Sequence, residues 1–410
     1  MSAPALKAAH SAARAFLPYG RQLIEDDDIA AVADALRGDF LTTGPSVARF
    51  ETALAKAVSA KHARVCANGT AALYLAARAL GLGAGSTIVV PAITFLATAS
   101  APRLNGAEIV FADVDPDTGL MGTGDLERAL RRAGRADAVF NVHLNGQCGD
   151  VEGIARLARS HGALVVDDSC HALGAAYIAE DGTASAIGSN TFADASVFSF
   201  HPVKAIAMGE GGAVTTNDDA VAERLSLVRN HGMTRDARCF ENRDDAFDPA
   251  GEPNPWYYEL VEPGFNWRAT DIQCALGLSQ LGKLGRFVAR RRAIAATYDS
   301  LFAPFAPAIR PVARVRRCLP AWHLYVVRID FSKMPRAELM HRLAQEEIGA
   351  QVHYFPVHRQ PYFAKRYGAL ELPGADRYYA QALSLPLHAG MTQADAEYVV
   401  QALSHILGLQ

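Results

Sequence analysis

Residues 163–174 read ALVVDDSCHALG, and this stretch decides the fold. The run from Ala163 to Val166 is apolar throughout and leads straight into Asp167 and Asp168. A short run with no polar alternation suits a strand buried on both faces of a parallel sheet. The preceding VEGIARLARSHG (151–162) spaces its apolar residues helically and ends on glycine, so the strand follows a helix.

The same alternation extends outward. ARVCA (63–67), TIVVP (87–91), EIVFADV (108–114) and DAVFNVHL (137–144) are β-rich, as are SVFSF (196–200) and GAVTTN (212–217). TAALYLAARAL (70–80) and TFLATASAPRL (94–104) read as helices. So do EDDDIAAVADAL (25–36) and FETALAKAVSA (50–60), the latter after a start at Pro45 and Ser46. The pattern predicts an α/β fold with a mostly parallel, doubly wound sheet flanked by helices. Ligands in such sheets lie at the carboxyl ends of strands, so chemistry is expected just after ARVCA, ALVVDDS and SVFSF.

Residues 233–262, with RDDAFDPAGEPNPWYYEL, break the pattern as a long polar, Pro-rich loop. A long helical stretch is expected from Ala269 to Tyr298. The last third (HLYVVRI, AELMHRLAQEEI, AQVHYF, ADAEYVVQALSHIL) mixes strands and helices in a smaller α+β unit. The expected division is an arm over 1–20, a large domain over 21–268 and a small domain over 269–410.

With 410 residues the chain exceeds the range in which one core keeps growing, so two domains are the natural expectation. Half its residues are hydrophobic and a fifth charged, an ordinary globular balance. A net charge of -3 gives no field to attract nucleic acid. No apolar run approaches the ~20 residues that cross a bilayer, and MSAPALKAAHSAARAF lacks a signal core, so the expected compartment is the cytoplasm and no membrane partner is expected. Cys66, Cys148, Cys170, Cys239, Cys274 and Cys318 form no CxxC pair, and the 13 histidines show no HExxH spacing. No metal is expected.

Three sites carry chemistry. In SVFSFHPVKAIAMGEGGAV a strand ends at Ser199, and Lys204 follows among small and apolar residues. Burial there would lower a lysine pKa and make the amine a better nucleophile, although a lone lysine after a strand is more simply a surface residue. In ALVVDDSCHALG, Asp168 at a strand end could hold a proton on a pyridine nitrogen, with His171 close by; paired aspartates could equally bind Mg²⁺ or cap the next helix. In CANGTAAL a turn with Gly69 and Thr70 opens a helix, and helix-start N–H groups suit a phosphate. Their order along one sheet supplies every function that pyridoxal 5'-phosphate (PLP) needs.

The chain also resembles the DegT/StrS family of PLP-dependent nucleotide-sugar aminotransferases from about Leu17 to the C-terminus. The landmarks are TTGPSVARFE, NGTAAL, PAITFLATA, VVDDSCHALG, FSFHPVK, EGGAV, RNHGM, GFNWR, IQCALGLSQL, QVHYFPVH and LSLPLH. The resemblance implies the type I aspartate aminotransferase fold. It further implies Lys204 as the Schiff-base lysine and proton carrier, Asp168 at the pyridine nitrogen, His171 near the ring hydroxyl and Phe95 on the ring face. Gly69, Thr70, Ala71 and Ser199 would hold the phosphate, and Asn266 would reach it from the other subunit of a homodimer. Many relatives carry a hydroxyl residue where Ala71 stands, and the 233–262 segment is longer than in many of them.

Arg229, His231 and Arg268 are candidates for a diphosphate or a donor carboxylate, or else pair with acidic neighbours. His323, His353 and His358 are further substrate-side candidates. DDSCHALG, SVFSFHPVK, ALGLSQL and QVHYFPVH look most like the pseudaminic acid branch. There the amino group of L-glutamate goes to C4 of a UDP-linked 4-keto-6-deoxy-N-acetylhexosamine. The alternatives are C3 or C4 amination of a dTDP- or GDP-keto sugar, a PLP sugar dehydratase, in which histidine replaces the lysine, or a non-catalytic PLP-binding protein.

Overall fold

Seven strands form the central sheet of the computed structural model, which describes residues 15–409. Their order is His62–Cys66, Gly212–Thr216, Ala195–Ser199, Leu164–Asp168, Ala138–Val142, Thr87–Pro91 and Glu108–Ala112. From the 195–199 strand to the 108–112 edge all pairings are parallel. The 212–216 strand runs antiparallel to both of its neighbours. This mostly parallel sheet flanked by helices is the expected type I architecture.

Burial explains the unbroken apolar runs. Val90, Phe140, Val166 and Val197 pack on one face with Leu73, Leu75 and Ala76 of helix Gly69–Ala79. Val89, Val139 and Val165 pack on the other with Leu126 and Leu130 of helix Thr123–Ala133 and Ile154 of helix Val151–Ser160. Successive strand residues thus meet opposite helical layers, and the buried polar exceptions, such as Asn141, Ser196 and Thr215, find hydrogen-bond partners.

A second sheet of Ile309–Pro311, Tyr325–Ile329 and Ala382–Leu385 is antiparallel. Its residues Tyr325, Val327 and Leu383 pack with Ile294, Tyr298 and Phe302 of helix Leu284–Phe302 and with Val399 and Leu403 of helix Gln393–Ile406. The single helix expected over 269–298 is two, Asp271–Leu281 and Leu284–Phe302. Gly282 favours the break. Lys283 between them reaches back to Asp27 and buried Asp28 at 2.5 and 2.8 Å.

The 233–262 segment carries short elements of its own, including a strand pair of Met233–Thr234 with Glu259–Leu260. Residues 1–14 of the expected arm lie outside the described residues; Leu17 bridges to Ile348. Among the described residues no helix is long and apolar enough to cross a membrane.

Candidate active site

A cavity of about 780 Å³ opens where the parallel strands end, and Asp168 lies on its floor. The carboxylate is 6% exposed. Thr98 Oγ1 donates to its Oδ2 at 2.7 Å, and the Cys170 N–H donates to Oδ1 at 3.2 Å. Strand alternation turns Asp167 the other way, to His143 Nε2 at 3.2 Å and to the Asn141 amide at 3.2 Å. Burial resists a charge on His143, but the adjacent Asp167 outweighs it and raises the imidazole pKa. The two carboxylates therefore take different hydrogen-bond partners. Among the described residues no group of three or more His, Cys, Asp or Glu could hold a metal.

Lys204 follows the 195–199 strand and lines the same cavity. No carboxylate pairs with its amine among the described residues. Burial lowers its pKa; Cys170 and Asp168 oppose that shift, and Arg291 adds to it. The amine is thus biased toward the neutral, nucleophilic form.

His171 is held by its neighbours in one tautomer. The Asn145 N–H donates to Nδ1 at 3.3 Å, so the ring proton sits on Nε2 and is offered to the Tyr354 hydroxyl, 3.1 Å away. Burial keeps this imidazole uncharged, with its pKa well below the ordinary histidine value. Tyr354 is pushed the other way, chiefly by burial, and remains a phenol with its own O–H free to donate. The His323 ring lies tilted against His171 with centroids 4.3 Å apart, and His353 Nδ1 meets Ser384 Oγ at 2.8 Å. Burial lowers both, His353 to about 3. The wall is a set of neutral imidazoles and aromatic rings, including half-exposed Phe95.

At the third corner the 69–79 helix begins. Asn68 caps it, its side chain accepting the Ala71 N–H at 2.8 Å. The N–H groups of Gly69 and Thr70, in the first turn, have no intrahelical acceptor and face the cavity with Ser199. A Cβ at Gly69 would lie 2.8 Å from Ser199 Cβ, and one at Gly212 would lie 2.2 Å from Asn68 O. Both positions are glycine because the 212–216 strand and Ser199 press directly beneath the turn. Ala71 is 1% exposed and does not reach the cavity; its N–H is already used by the cap.

The other sequence candidates lie elsewhere. Arg229 pairs with Glu51 and donates to Val65 O at 2.7 Å, and Arg268 donates to Asn230. Both line a separate hollow of about 280 Å³. His231 is exposed and its N–H is bonded to Phe265 O. His358 is buried against Phe111. Asn266 is exposed and outside its own chain's cavity. Sequence reasoning missed Thr98, Asn145 and Tyr354, although PAITFLATA and QVHYFPVH contain the first and last of them. Their roles come from contacts between distant segments.

The residues present fit PLP. Free N–H groups at a glycine cradle suit the phosphate, a buried carboxylate held by two donors suits the pyridine nitrogen, and an unpaired amine in the same cavity suits the aldehyde.

Comparisons with known proteins agree. The DegT/DnrJ/EryC1/StrS aminotransferase family matches residues 22–404. The spore coat polysaccharide biosynthesis protein SpsC of Bacillus subtilis (strain 168) is 37% identical over 397 residues, 96% of this chain and 97% of that protein. The structure of Helicobacter pylori PseC, an aminotransferase of pseudaminic acid biosynthesis, superposes with a TM-score of 0.85 at 30% identity, covering 95% of this chain and 98% of that one. The PLP form of the Streptococcus pneumoniae sugar aminotransferase Spr1654 gives a TM-score of 0.82 at 26% identity, over 95% and 98% of the two chains. The chain accordingly belongs to the DegT/DnrJ/EryC1/StrS family and is a PLP-dependent sugar aminotransferase.

Proposed function

We propose that the enzyme moves the amino group of L-glutamate to the 4-keto group of a UDP-linked 4-keto-6-deoxy-N-acetylhexosamine in surface-sugar biosynthesis. Glutamate leaves as 2-oxoglutarate, so each amine gained by the sugar matches a keto group gained by the donor. The likeness to PseC over nearly the whole chain carries this reading. A cavity walled by aromatic and imidazole rings supports it, since such rings pack on sugar faces while a few polar groups orient the hydroxyls.

PLP, when bound, supplies an electron sink for the carbanion left as a proton leaves the carbon beside the reacting nitrogen. The chain's own groups do the rest. Asp168, fixed by Thr98 and Cys170, would hold a proton at the pyridine nitrogen. Neutral Lys204 takes the proton from the donor's α-carbon and serves as acid when a proton must return. His171 directs Tyr354, whose hydroxyl would be free to donate to the ring oxygen of the cofactor. Gly69, Thr70 and Ser199 would hold the phosphate, and Phe95 would pack on the ring. His323 and His353 face the sugar.

Among the described residues no arginine lines the cavity, although a diphosphate and a donor carboxylate both favour guanidinium. We infer that a second subunit of a homodimer completes the site with Asn266 and Arg268. Exposed Trp256, Leu260, Val261 and Phe265 lie close to Asn266 in the sequence and would be covered by that contact. Mixing Lys204→Ala and Asn266→Ala subunits is expected to restore about a quarter of wild-type turnover, one good site in half of the dimers. No recovery in verified hybrids would contradict shared sites.

The substrate is tested with glutamate and a panel of UDP-, dTDP- and GDP-linked keto sugars, reading products by mass and NMR. A C4 amine on the UDP sugar with matching 2-oxoglutarate is expected. A product confined to another nucleotide, an amine at C3, or loss of water would overturn the assignment.

A further inference from the structure

Arg291 lies in the 284–302 helix, 1% exposed, and among the described residues no carboxylate pairs with it. A buried charge without a counter-ion is costly unless its donors are satisfied. Here the two Nη nitrogens meet backbone carbonyls from three stretches, while Nε has no partner among the described residues. Nη1 donates to Leu387 O at 2.9 Å, His323 O at 3.3 Å and Trp322 O at 3.4 Å. Nη2 donates to Lys204 O at 3.2 Å and Val203 O at 3.5 Å. Val203, Lys204 and His323 are themselves cavity residues. The planar fork of arginine spreads its donors over two Nη nitrogens held in one plane, whereas a lysine ammonium has three donors on a single nitrogen at the end of a flexible stem.

We propose that Arg291 is a positioning residue for Lys204: it ties the backbone carrying the reactive amine to the 322–323 and 387 segments and sets a positive charge next to that backbone. This rests on Lys204 being the reactive lysine. The charged and titratable groups felt by Lys204 are Asp168, Cys170 and Arg291, whose own pKa burial lowers to about 10; His171, His323 and His353 feel the lysine in turn, and Glu210, His201, Tyr19 and Tyr354 line the same cavity. Burial keeps Cys170 a thiol and the three imidazoles neutral. Asp168 then favours the ammonium and Arg291 opposes it, so loss of the Arg291 charge must raise the pH at which the amine becomes free.

The test acylates full-length apoprotein with acetic anhydride across pH and quantifies modification of Lys204 by peptide mass spectrometry. Wild type is compared with Arg291→Gln and Arg291→Lys, with folding checked by thermal melting. In Arg291→Gln the midpoint for Lys204 is expected to rise by about one pH unit, the size of a single unscreened neighbouring charge. In Arg291→Lys the midpoint should stay near wild type. With cofactor restored, its kcat should fall about 10-fold at little-changed KM, because the charge survives and the tether does not.

An unmoved midpoint in folded Arg291→Gln overturns the electrostatic role, and full kcat in Arg291→Lys overturns the positioning role. If Arg291→Gln fails to fold, Arg291→Lys alone decides: a wild-type midpoint with lowered kcat supports the proposal, and any other pairing contradicts it. Were a different lysine the reactive one, cofactor trapping would map there, a result separate from these shifts.

Discussion

Lys204→Ala is expected to lose turnover by about 10³-fold or more, because covalent attachment and proton transfer vanish with one amine. The visible imine absorbance of the bound cofactor should vanish with it. The fold should survive: the amine has no ion-pair partner among the described residues, so its removal orphans no charge, and burial already disfavours its charged form. A melting temperature close to wild type, together with absent turnover and absent imine absorbance, is the expected combination. Retained turnover would place the reactive lysine elsewhere.

Asp168→Asn is the second large effect, with turnover down about 10³-fold while weak cofactor binding persists. The shape is nearly unchanged. The amide oxygen can accept the Cys170 N–H, and the amide nitrogen can donate to Thr98 Oγ1, which turns its own proton to Thr94 or to Phe95 O. Hydrogen bonding is therefore kept, and the negative charge that would hold a proton on the pyridine nitrogen is lost. Stopped turnover at saturating cofactor, measured beside a normal melting curve, separates charge from folding. Near-normal turnover would remove Asp168 from its assigned role.

The central strands were legible because most are apolar on both faces, and the helical layers that bury Val165 and Val166 from opposite sides give the physical reason. The order of Gly69, Asp168, Ser199 and Lys204 along the chain was legible for the same reason: each ends or follows a strand that stops at one edge of the sheet. The antiparallel course of the 212–216 strand was not, since a short apolar run carries no sign of direction. Nor was the break at Gly282 and Lys283, where a contact to Asp28, far away in sequence, interrupts a continuous helical pattern.

The arginines were the least legible. Arg229 looks like an anion ligand in RNHGM, but Glu51 claims it, and nothing in the local sequence shows that pairing. Arg291, one of several basic residues on a helix, gave no sequence signal; only the three segments converging on it single it out. Tyr354 and Thr98 likewise gain their parts from residues 183 and 70 positions away. Contacts that close over such separations are fixed by topology rather than by local pattern.

Borohydride reduction of the purified enzyme with its cofactor, followed by digestion and peptide mass mapping, tests the central claim most directly. The account predicts one stable pyridoxyl adduct on the peptide spanning residues 196–208, at Lys204. An adduct on any other lysine, or none with cofactor present, would contradict it.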